Sequence, residues 1–190
     1  MRAAKVGFLV SIPEDEETYR LVVQSLGEIA SQIDGIEYEF INLESYNIKD
    51  YRNTMSPDWW PQNHREDLLH LMRKVDKCDG LVCVFSDGEH PGSDVVRNFL
   101  RDIEFELKLK PINFIAIDSA KNVNVIIDCM RIHCIELGGI PLGKAVYSNP
   151  AESPELFVVD CFFRQRSYEG IMAMLTELGW MANLGLPSIK

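Results

Sequence analysis

The sequence predicts a single α/β domain built on a five-stranded parallel sheet in the order 2-1-3-4-5, with helices on both faces. Apolar, strand-sized runs alternate with segments of helical periodicity along the whole chain. The run over residues 80–85 is apolar on both faces, as central strands of parallel sheets are. A length of 190 residues with 46% apolar and 25% charged content suits one globular domain. We therefore expect residues 1–190 to form one doubly wound domain.

The first half of the chain supplies three strands and two helices. Apolar runs bounded by turn residues predict strands over 5–10, 36–43 and 80–85. Helical spacing predicts one helix that ends at Asp34-Gly35 and another that precedes the third strand. On the loop 44–63, Trp59-Trp60 favours a subunit interface or the wall of a ligand site. The residues that define the two helices are Val22, Leu26, Ile29 and Ile33, then Leu68, Leu71, Met72 and Val75.

The second half predicts strands over 111–117 and 140–147, and three helices. The first of these helices is expected to be continuous, the second closes at Gly138-Gly139, and the last spans about 168–178. The order βαβαβαβαβα implies crossovers and a parallel sheet. Ligands of such a sheet bind beyond the carboxyl ends of the strands, at the switch point between strands one and three. The first helix carries Val96, Phe99, Leu100, Ile103 and Leu107, and the second carries Ile126, Cys129, Met130, His133 and Leu137.

The charge balance and the cysteines exclude several functions. A net charge of −10 opposes binding to nucleic-acid phosphates and to anionic lipid. No segment approaches the roughly 18–20 apolar residues of a membrane helix, and no signal-peptide pattern is expected at the N-terminus. The five cysteines contain no Cys-x-x-Cys pair, so they are interpreted as reduced core residues of a cytoplasmic protein. Cys129, His133 and Cys134 do not converge on a helix, so no metal site is expected, and His133 is interpreted as a core histidine.

The loop after the first strand, residues 11–18, should meet the N-terminus of a helix, which normally attracts anions. Here the loop carries four consecutive carboxylates, Glu14 to Glu17, and Ser11 with Glu14 has the spacing of a capping box. At an effective dielectric near 20, each carboxylate about 6–7 Å from a phosphate costs roughly 2–3 kcal/mol, and less where it faces solvent. A phosphate is therefore disfavoured in this loop.

The loop after the third strand, residues 86–93, lies at the expected switch point. Its two glycines allow close backbone approach to a flat ligand, and Asp87, Glu89 and His90 could supply acid–base groups. The structural alternative is that Ser93 or Asp94 caps the next helix and the remainder is a solvated turn. The sequence leaves both interpretations open. It contains no Gly-x-Ser-x-Gly, Walker or Gly-x-Gly-x-x-Gly motif.

Several strings resemble the NAD(P)H-dependent FMN reductase family of flavodoxin-like proteins, over roughly residues 5–180. Residues 40–51 (FINLESYNIKDY) resemble the family's second strand and following loop, and residues 79–85 (DGLVCVF) its third strand. Residues 96–100 (VRNFL) resemble a helix start, and Arg131 with Leu137-Gly138 the helix before the last strand. Where the family has a basic, hydroxyl-rich phosphate loop, this chain has Ser11, Ile12, Glu14, Glu17 and Tyr19.

The resemblance implies a flavodoxin-like three-layer α/β/α sandwich that binds FMN and takes hydride from NAD(P)H. The acceptor would be a small molecule such as a quinone, and the protein would be a cytoplasmic homodimer with no nucleic-acid or membrane partner. By aligned position, the loop after the first strand would meet the phosphate and the loop after the third would contact the isoalloxazine. The cofactor-binding residues implied are Ser11, Thr18, Ser86, Asp87, Gly88, Glu89, His90 and Ser119, with no catalytic side chain of the protein and no metal.

Two further functions fit the residues. One is a flavin-less protein that binds a partner or acts as a scaffold, with the acidic loop as a plain helix cap or as a receptor for an amine or a cation. The other is an enzyme similar to the nucleoside deoxyribosyltransferases, because Asp87-Gly88 ends the third strand as in that group and residues 124–127 (NVII) resemble a later run. Asp87 or Glu89 would then act as the acid.

Overall fold

The computed structural model describes residues 2–12, 16–46, 62–86, 92–117, 123–148 and 165–184. Its strands are β1 (Ala4–Ser11), β2 (Ile36–Asn42), β3 (Gly80–Phe85), β4 (Pro111–Ile117) and β5 (Ile140–Ser148). Its helices are α1 (Glu16–Ala30), α2 (Gln62–Asp76), α3 (Gly92–Asp102), α4 (Glu104–Leu107), α5 (Val123–Glu136) and α6 (Gln165–Asn183), and a 3-10 turn covers Leu43–Ser45.

The described strands form one parallel sheet in the order β2-β1-β3-β4-β5, which confirms the predicted topology. β1 lies between β2 and β3, with Val10 opposite Asn42 and Ser11 opposite Phe85. β2, the next strand in the chain, pairs with one edge of β1, and β3 pairs with the other edge. The carboxyl ends of β1 and β3 therefore meet at the switch point, where doubly wound sheets bind ligands.

Two apolar layers hold the helices on the sheet. On one face, Val22 and Leu26 of α1 and Ile171 of α6 pack on Val82 and Val84 of β3. On the opposite face, α2, α3, α4 and α5 pack on alternate residues of the same strands, since successive strand side chains point to opposite faces. Because β3 is buried on both faces, its sequence is apolar throughout.

The structure corrects two predicted helix boundaries. The segment expected to be one helix after β3 is broken at Ile103, which has φ −110° and ψ 27° and separates α3 from α4. Ile103 and Leu107 stay buried on either side of the break, so the apolar periodicity does not reveal it. α1 ends at Ala30 rather than at Asp34-Gly35. The N–H groups of Gln32 and Ile33 donate to carbonyl oxygens three residues back instead of four, so the chain has left the α-helix for a tighter turn.

The cysteines divide into buried and exposed groups. Cys78, Cys83 and Cys134 are buried free thiols, and burial raises the pKa of Cys78 to about 11 and of Cys134 to about 12. Cys129 is exposed on α5, so the expectation of a core position is wrong for this residue. Cys161 lies outside the described residues.

None of the helices in the described ranges is both long and apolar enough to cross a membrane. His133 is half-buried on α5, and its Nε2 lies 3.2 Å from the carbonyl oxygen of Arg97 on α3. This contact joins two neighbouring helices, which agrees with the predicted structural role of His133. Within the described residues, no group of three or more His, Cys, Asp or Glu is arranged to hold a metal ion.

Candidate functional site

Two serines lie side by side at the carboxyl ends of β1 and β3. Ser11 is the last residue of β1, and Ser86 directly follows β3. The backbone N–H of Ser86 donates to the carbonyl oxygen of Ser11 at 3.2 Å, which extends the parallel ladder by one bond. Both residues are buried, with relative exposures of 0% and 1%. The structure thus brings two predicted site residues together at the switch point.

The Ser11 hydroxyl is held by a carboxylate from the end of β2. Its Oγ donates to Glu44 Oε1 at 2.5 Å, the short separation typical of a hydroxyl on an ionised carboxylate. Asn42 positions this carboxylate, since its Oδ1 accepts from the Glu44 N–H at 3.0 Å and caps the 3-10 turn. Ser11 thus gives its one hydroxyl proton to Glu44, while Glu14 lies outside the described residues, so the capping box of Ser11 with Glu14 stays a prediction.

Gly92 joins α3 to both strand ends. Its N–H donates to the carbonyl oxygen of Ser86 at 2.8 Å. A Cβ on Gly92 would lie 2.5 Å from Ser11 O and 2.7 Å from Ser86 O, distances that only hydrogen allows. The close backbone approach predicted for the glycines of this loop is found at Gly92, but it is made to the sheet. Since α3 starts at Gly92, Ser93 and Asp94 lie inside its first turn and do not precede it as caps.

The Ser86 hydroxyl is buried and has no hydrogen-bond partner among the described residues, which leave out the segment 87–91. Ser86 continues the alternation of Val82 and Val84, which places it on the face of the sheet that α1 covers. Ser11 lies two residues after Leu9 and therefore points to the same face as Leu9, which is the opposite face, beside α3. A buried hydroxyl without a partner costs free energy, so its presence at a ligand-binding edge is a functional signal.

The first turn of α1 carries Glu16 and Glu17, both exposed. Neither makes an ion pair within the described residues, and Arg20, one turn further on, is exposed as well. Acidic side chains are stabilised there by the positive end of the helix dipole. Thr18 is half-buried in the same turn, and burial raises the pKa of Tyr19 next to it.

The structure covers only part of the predicted site. Ser11, Thr18 and Ser86 lie at the carboxyl edge of the sheet, as predicted from the topology. Asp87, Gly88, Glu89, His90 and Ser119 lie outside the described residues, as do Trp59 and Trp60. Glu44 is a site residue that the sequence analysis missed. The signal for it was Asn42, a capping residue placed at the end of a strand that pairs with β1.

A separate cavity of about 400 Å³ lies beside the edge strand β5, between α5 and α6. Arg131 is the cation of this cavity, and it is already bound, to Asp128 Oδ1 and to the carbonyl oxygen of Gly143, each at 2.9 Å. Gly143 is in the segment where β5 bulges, because Pro141 pairs with Ile112 but Ala145 pairs with Phe114. Of the predicted site residues that the structure describes, namely Ser11, Thr18 and Ser86, none lines this cavity.

The described residues do not fit the phosphate of FMN. A phosphate at the start of α1 would meet Glu16 and Glu17. The nearby Ser11 hydroxyl already donates its hydrogen bond to Glu44. Phosphate sites at helix N-termini instead combine free N–H groups with neutral or basic side chains. The unpartnered hydroxyl of Ser86, by contrast, fits a polar but uncharged group, since a hydroxyl both donates and accepts.

Solved structures with a similar fold cover almost the whole chain. FerB from Paracoccus denitrificans, a flavoenzyme NAD(P)H:(acceptor) oxidoreductase, has a TM-score of 0.69 at 11% identity and covers 95% of this chain and 98% of its own. An oxidoreductase from Corynebacterium diphtheriae has a TM-score of 0.67 at 14% identity, with 96% and 98% covered. General stress protein 14 from Treponema denticola, solved with FMN, has a TM-score of 0.58 at 11% identity, with 92% and 99% covered.

These likenesses confirm the flavodoxin-like fold, the fold of NAD(P)H-dependent FMN reductases and of flavodoxins such as flavodoxin 1 from Bacillus cereus. At identities below 15% they establish the fold alone. No family model matches the sequence, and no curated protein does.

Proposed function

We propose that the protein is a flavin-dependent oxidoreductase that uses NAD(P)H and reduces a small acceptor such as a quinone. The observation that carries the proposal is the buried, unpartnered hydroxyl of Ser86 at the β1–β3 switch point. A ligand at this edge would supply the missing hydrogen bond. The flavoenzyme fold that the chain shares over almost its whole length supports flavin as that ligand.

The flavin, when bound, supplies the redox chemistry, and the chain supplies position and shelter from water. In this proposal Ser86 hydrogen-bonds the ligand, and Gly92 holds α3 against the strand ends beneath it. Thr18 lies on the α1 side and Ser11 on the α3 side, with Glu44 as its partner. The remaining proposed site residues are those expected from the sequence at the same edge, namely Asp87, Gly88, Glu89, His90 and Ser119.

The binding test uses the purified full chain. We expect added riboflavin or FMN to lose fluorescence on binding, and NAD(P)H to be oxidised in the presence of flavin and a quinone. Ser86→Ala should weaken flavin binding while Ser93→Ala, in the first turn of α3, should not. No change in flavin fluorescence at saturating protein, together with no NAD(P)H oxidation, would refute the proposal.

A second candidate function is supported by the acidic first turn of α1 and by the Ser11–Glu44 hydrogen bond. We propose, as the alternative, a flavin-less protein of the same fold that binds a partner carrying an amine or a cation. The same fluorescence titration separates the two, since this protein would leave every flavin free in solution.

The proposed setting is one domain of residues 1–190, acting as a cytoplasmic homodimer. Light scattering on the eluted peak of a sizing column measures the mass in solution. A mass near twice 21.7 kDa supports the dimer, and a mass near 21.7 kDa contradicts it.

A further inference from the structure

We propose that the flavin taken by this edge ends in an uncharged polyol, as riboflavin does, rather than in the phosphate of FMN. The inference rests on the proposed function and specifies the ligand of the same site. It follows from what the described residues present at the two flanks of the switch point, where one flank lies at the start of α1 and the other at the end of β2.

On the first flank, α1 begins with carboxylates where a phosphate site needs donors. Glu16 and Glu17 occupy its first turn, are exposed, and make no ion pair within the described residues. Because they already neutralise the positive end of the helix dipole, little of that field is left for an anion. They also repel a phosphate directly. Arg20, one turn further on, compensates for one of the two charges only.

On the second flank, the Ser11 hydroxyl already donates its proton to a carboxylate. Ser11 Oγ donates to Glu44 Oε1, and Ser11 has no accessible surface. Glu44 itself is exposed, and its carboxylate can accept more hydrogen bonds than the one from Ser11. A carboxylate oxygen accepts hydrogen bonds from alcohol groups and repels phosphate oxygens. This flank therefore also favours hydroxyl groups.

Between the flanks, Ser86 gives independent evidence of a ligand. Ser86 is 1% exposed, its hydroxyl has no partner in the part of the chain that the structure describes, and it lies on the face of the sheet that α1 covers. A ligand that displaces whatever covers this hydroxyl gains a hydrogen bond that the protein alone does not make. An alcohol group can both donate to and accept from Ser86, and the ribityl chain of a flavin carries several such groups.

The test compares riboflavin with FMN on the full chain by fluorescence titration at low and high salt. We expect riboflavin to bind about tenfold more tightly than FMN at low salt. Since salt screens repulsion, FMN affinity should rise toward that of riboflavin in about 0.5 M salt, and riboflavin affinity should not change. Binding of FMN equal to or tighter than that of riboflavin would overturn this inference and leave the proposed function standing. Binding of neither flavin would overturn both.

A charge variant tests the residues assigned. Glu16→Gln/Glu17→Gln should raise FMN affinity about tenfold and leave riboflavin affinity unchanged. The matched control is Glu28→Gln/Glu37→Gln, which removes two exposed carboxylates far from the start of α1 and should change neither affinity. If FMN affinity does not respond to Glu16→Gln/Glu17→Gln, or responds equally to the control, the assignment to this turn is wrong.

Discussion

Two groups of carboxylates, at opposite ends of the sheet, differ in their partners. At the amino end, Asp79 and Glu39 are paired with cations. Asp79 binds Arg2 at 2.8 Å and accepts from the Lys5 N–H at 2.7 Å, while Glu39 lies 2.6 Å from Lys5 Nζ and 3.3 Å from Lys74 Nζ. The Lys5 hydrogen bond holds the pKa of Glu39 below its ordinary value. These groups anchor the starts of β1 and β3.

At the carboxyl end, Asp94 of α3 pairs with Arg97, but the carboxylates beside β1 have no cation among the described residues. Glu16 and Glu17 face solvent, Glu44 accepts a hydrogen bond from Ser11, and the Ser86 hydroxyl has no partner among the described residues. Carboxylates without a cation therefore lie beside the proposed ligand edge at β1, and the ion pairs of Asp79 and Glu39 lie at the opposite end of the sheet. The variants below test that difference, in order of decreasing effect.

The largest effect is expected at Gly92. In Gly92→Ala the new Cβ would press on the carbonyl oxygens of Ser11 and Ser86, backbone atoms that cannot turn away. We expect the free energy of unfolding to fall by about 3 kcal/mol, measured by urea denaturation. Gly143→Ala is the control, because nothing lies within 4 Å of a Cβ there, and it should change stability by less than about 0.5 kcal/mol. Equal effects of the two variants would show that the strand-end junction is not tightly packed.

The next effect concerns Glu44. Glu44→Ala removes the acceptor of the buried Ser11 hydroxyl, so the free energy of unfolding should fall by about 1–2 kcal/mol. Glu44→Gln keeps an acceptor and should lose about half as much. The double variant Ser11→Ala/Glu44→Ala should be more stable than Glu44→Ala, since it leaves no orphaned hydroxyl. If the double variant is less stable, the Ser11–Glu44 bond does not account for the loss.

A smaller, pH-dependent effect is expected at the amino end. Because the folded-state pKa of Glu39 is lowered, its stabilisation is present above the unfolded-state value of about 4.5 and is lost as the pH falls through the folded-state value. Glu39→Gln should therefore lower the free energy of unfolding, measured by urea denaturation, by about 0.5–1 kcal/mol at pH 7 and have no effect in strong acid. Glu37→Gln removes an exposed carboxylate of the same strand and is the control for the loss of one negative charge. A difference that persists in acid would mean that the ion pairs with Lys5 and Lys74 are not its source.

The smallest effect is expected at the start of α1. Glu16→Gln/Glu17→Gln should lower the free energy of unfolding by a few tenths of a kcal/mol per residue at low salt, roughly the lower part of the helix-dipole range, because both side chains are exposed. Thermal denaturation at low and high salt measures the change, which should shrink as salt screens the dipole. An increase in stability would mean that Glu16 and Glu17 repel one another more than the helix end attracts them.

The fold could be predicted because the hydrophobic periodicity and the order of the elements determine it. The alternation of strands and helices, and the doubly apolar run of β3, place the strands within a residue or two. The break at Ile103 could not be predicted, because the buried Ile103 and Leu107 keep the helical spacing through it.

The site could be predicted only as far as topology places it. Ser11 and Ser86 follow from the switch-point rule, whereas Glu44 does not, since its role depends on a hydrogen bond between residues 33 positions apart. The glycines of the loop after β3 show what amino-acid composition alone cannot predict. A glycine permits close approach, and only the structure reveals that Gly92 approaches the sheet itself.

We propose that the ligand lies at the carboxyl edge of the sheet, between β1 and β3. An amide correlation spectrum of the ¹⁵N-labelled chain, recorded as riboflavin is added, tests it most directly. We predict shifts for the amides of Ser11, Ser86 and Gly92, with Lys5 and Asp79 at the amino end unchanged. Shifts centred on the amino end or on the Arg131 cavity, or no shifts at saturating riboflavin, would contradict the account.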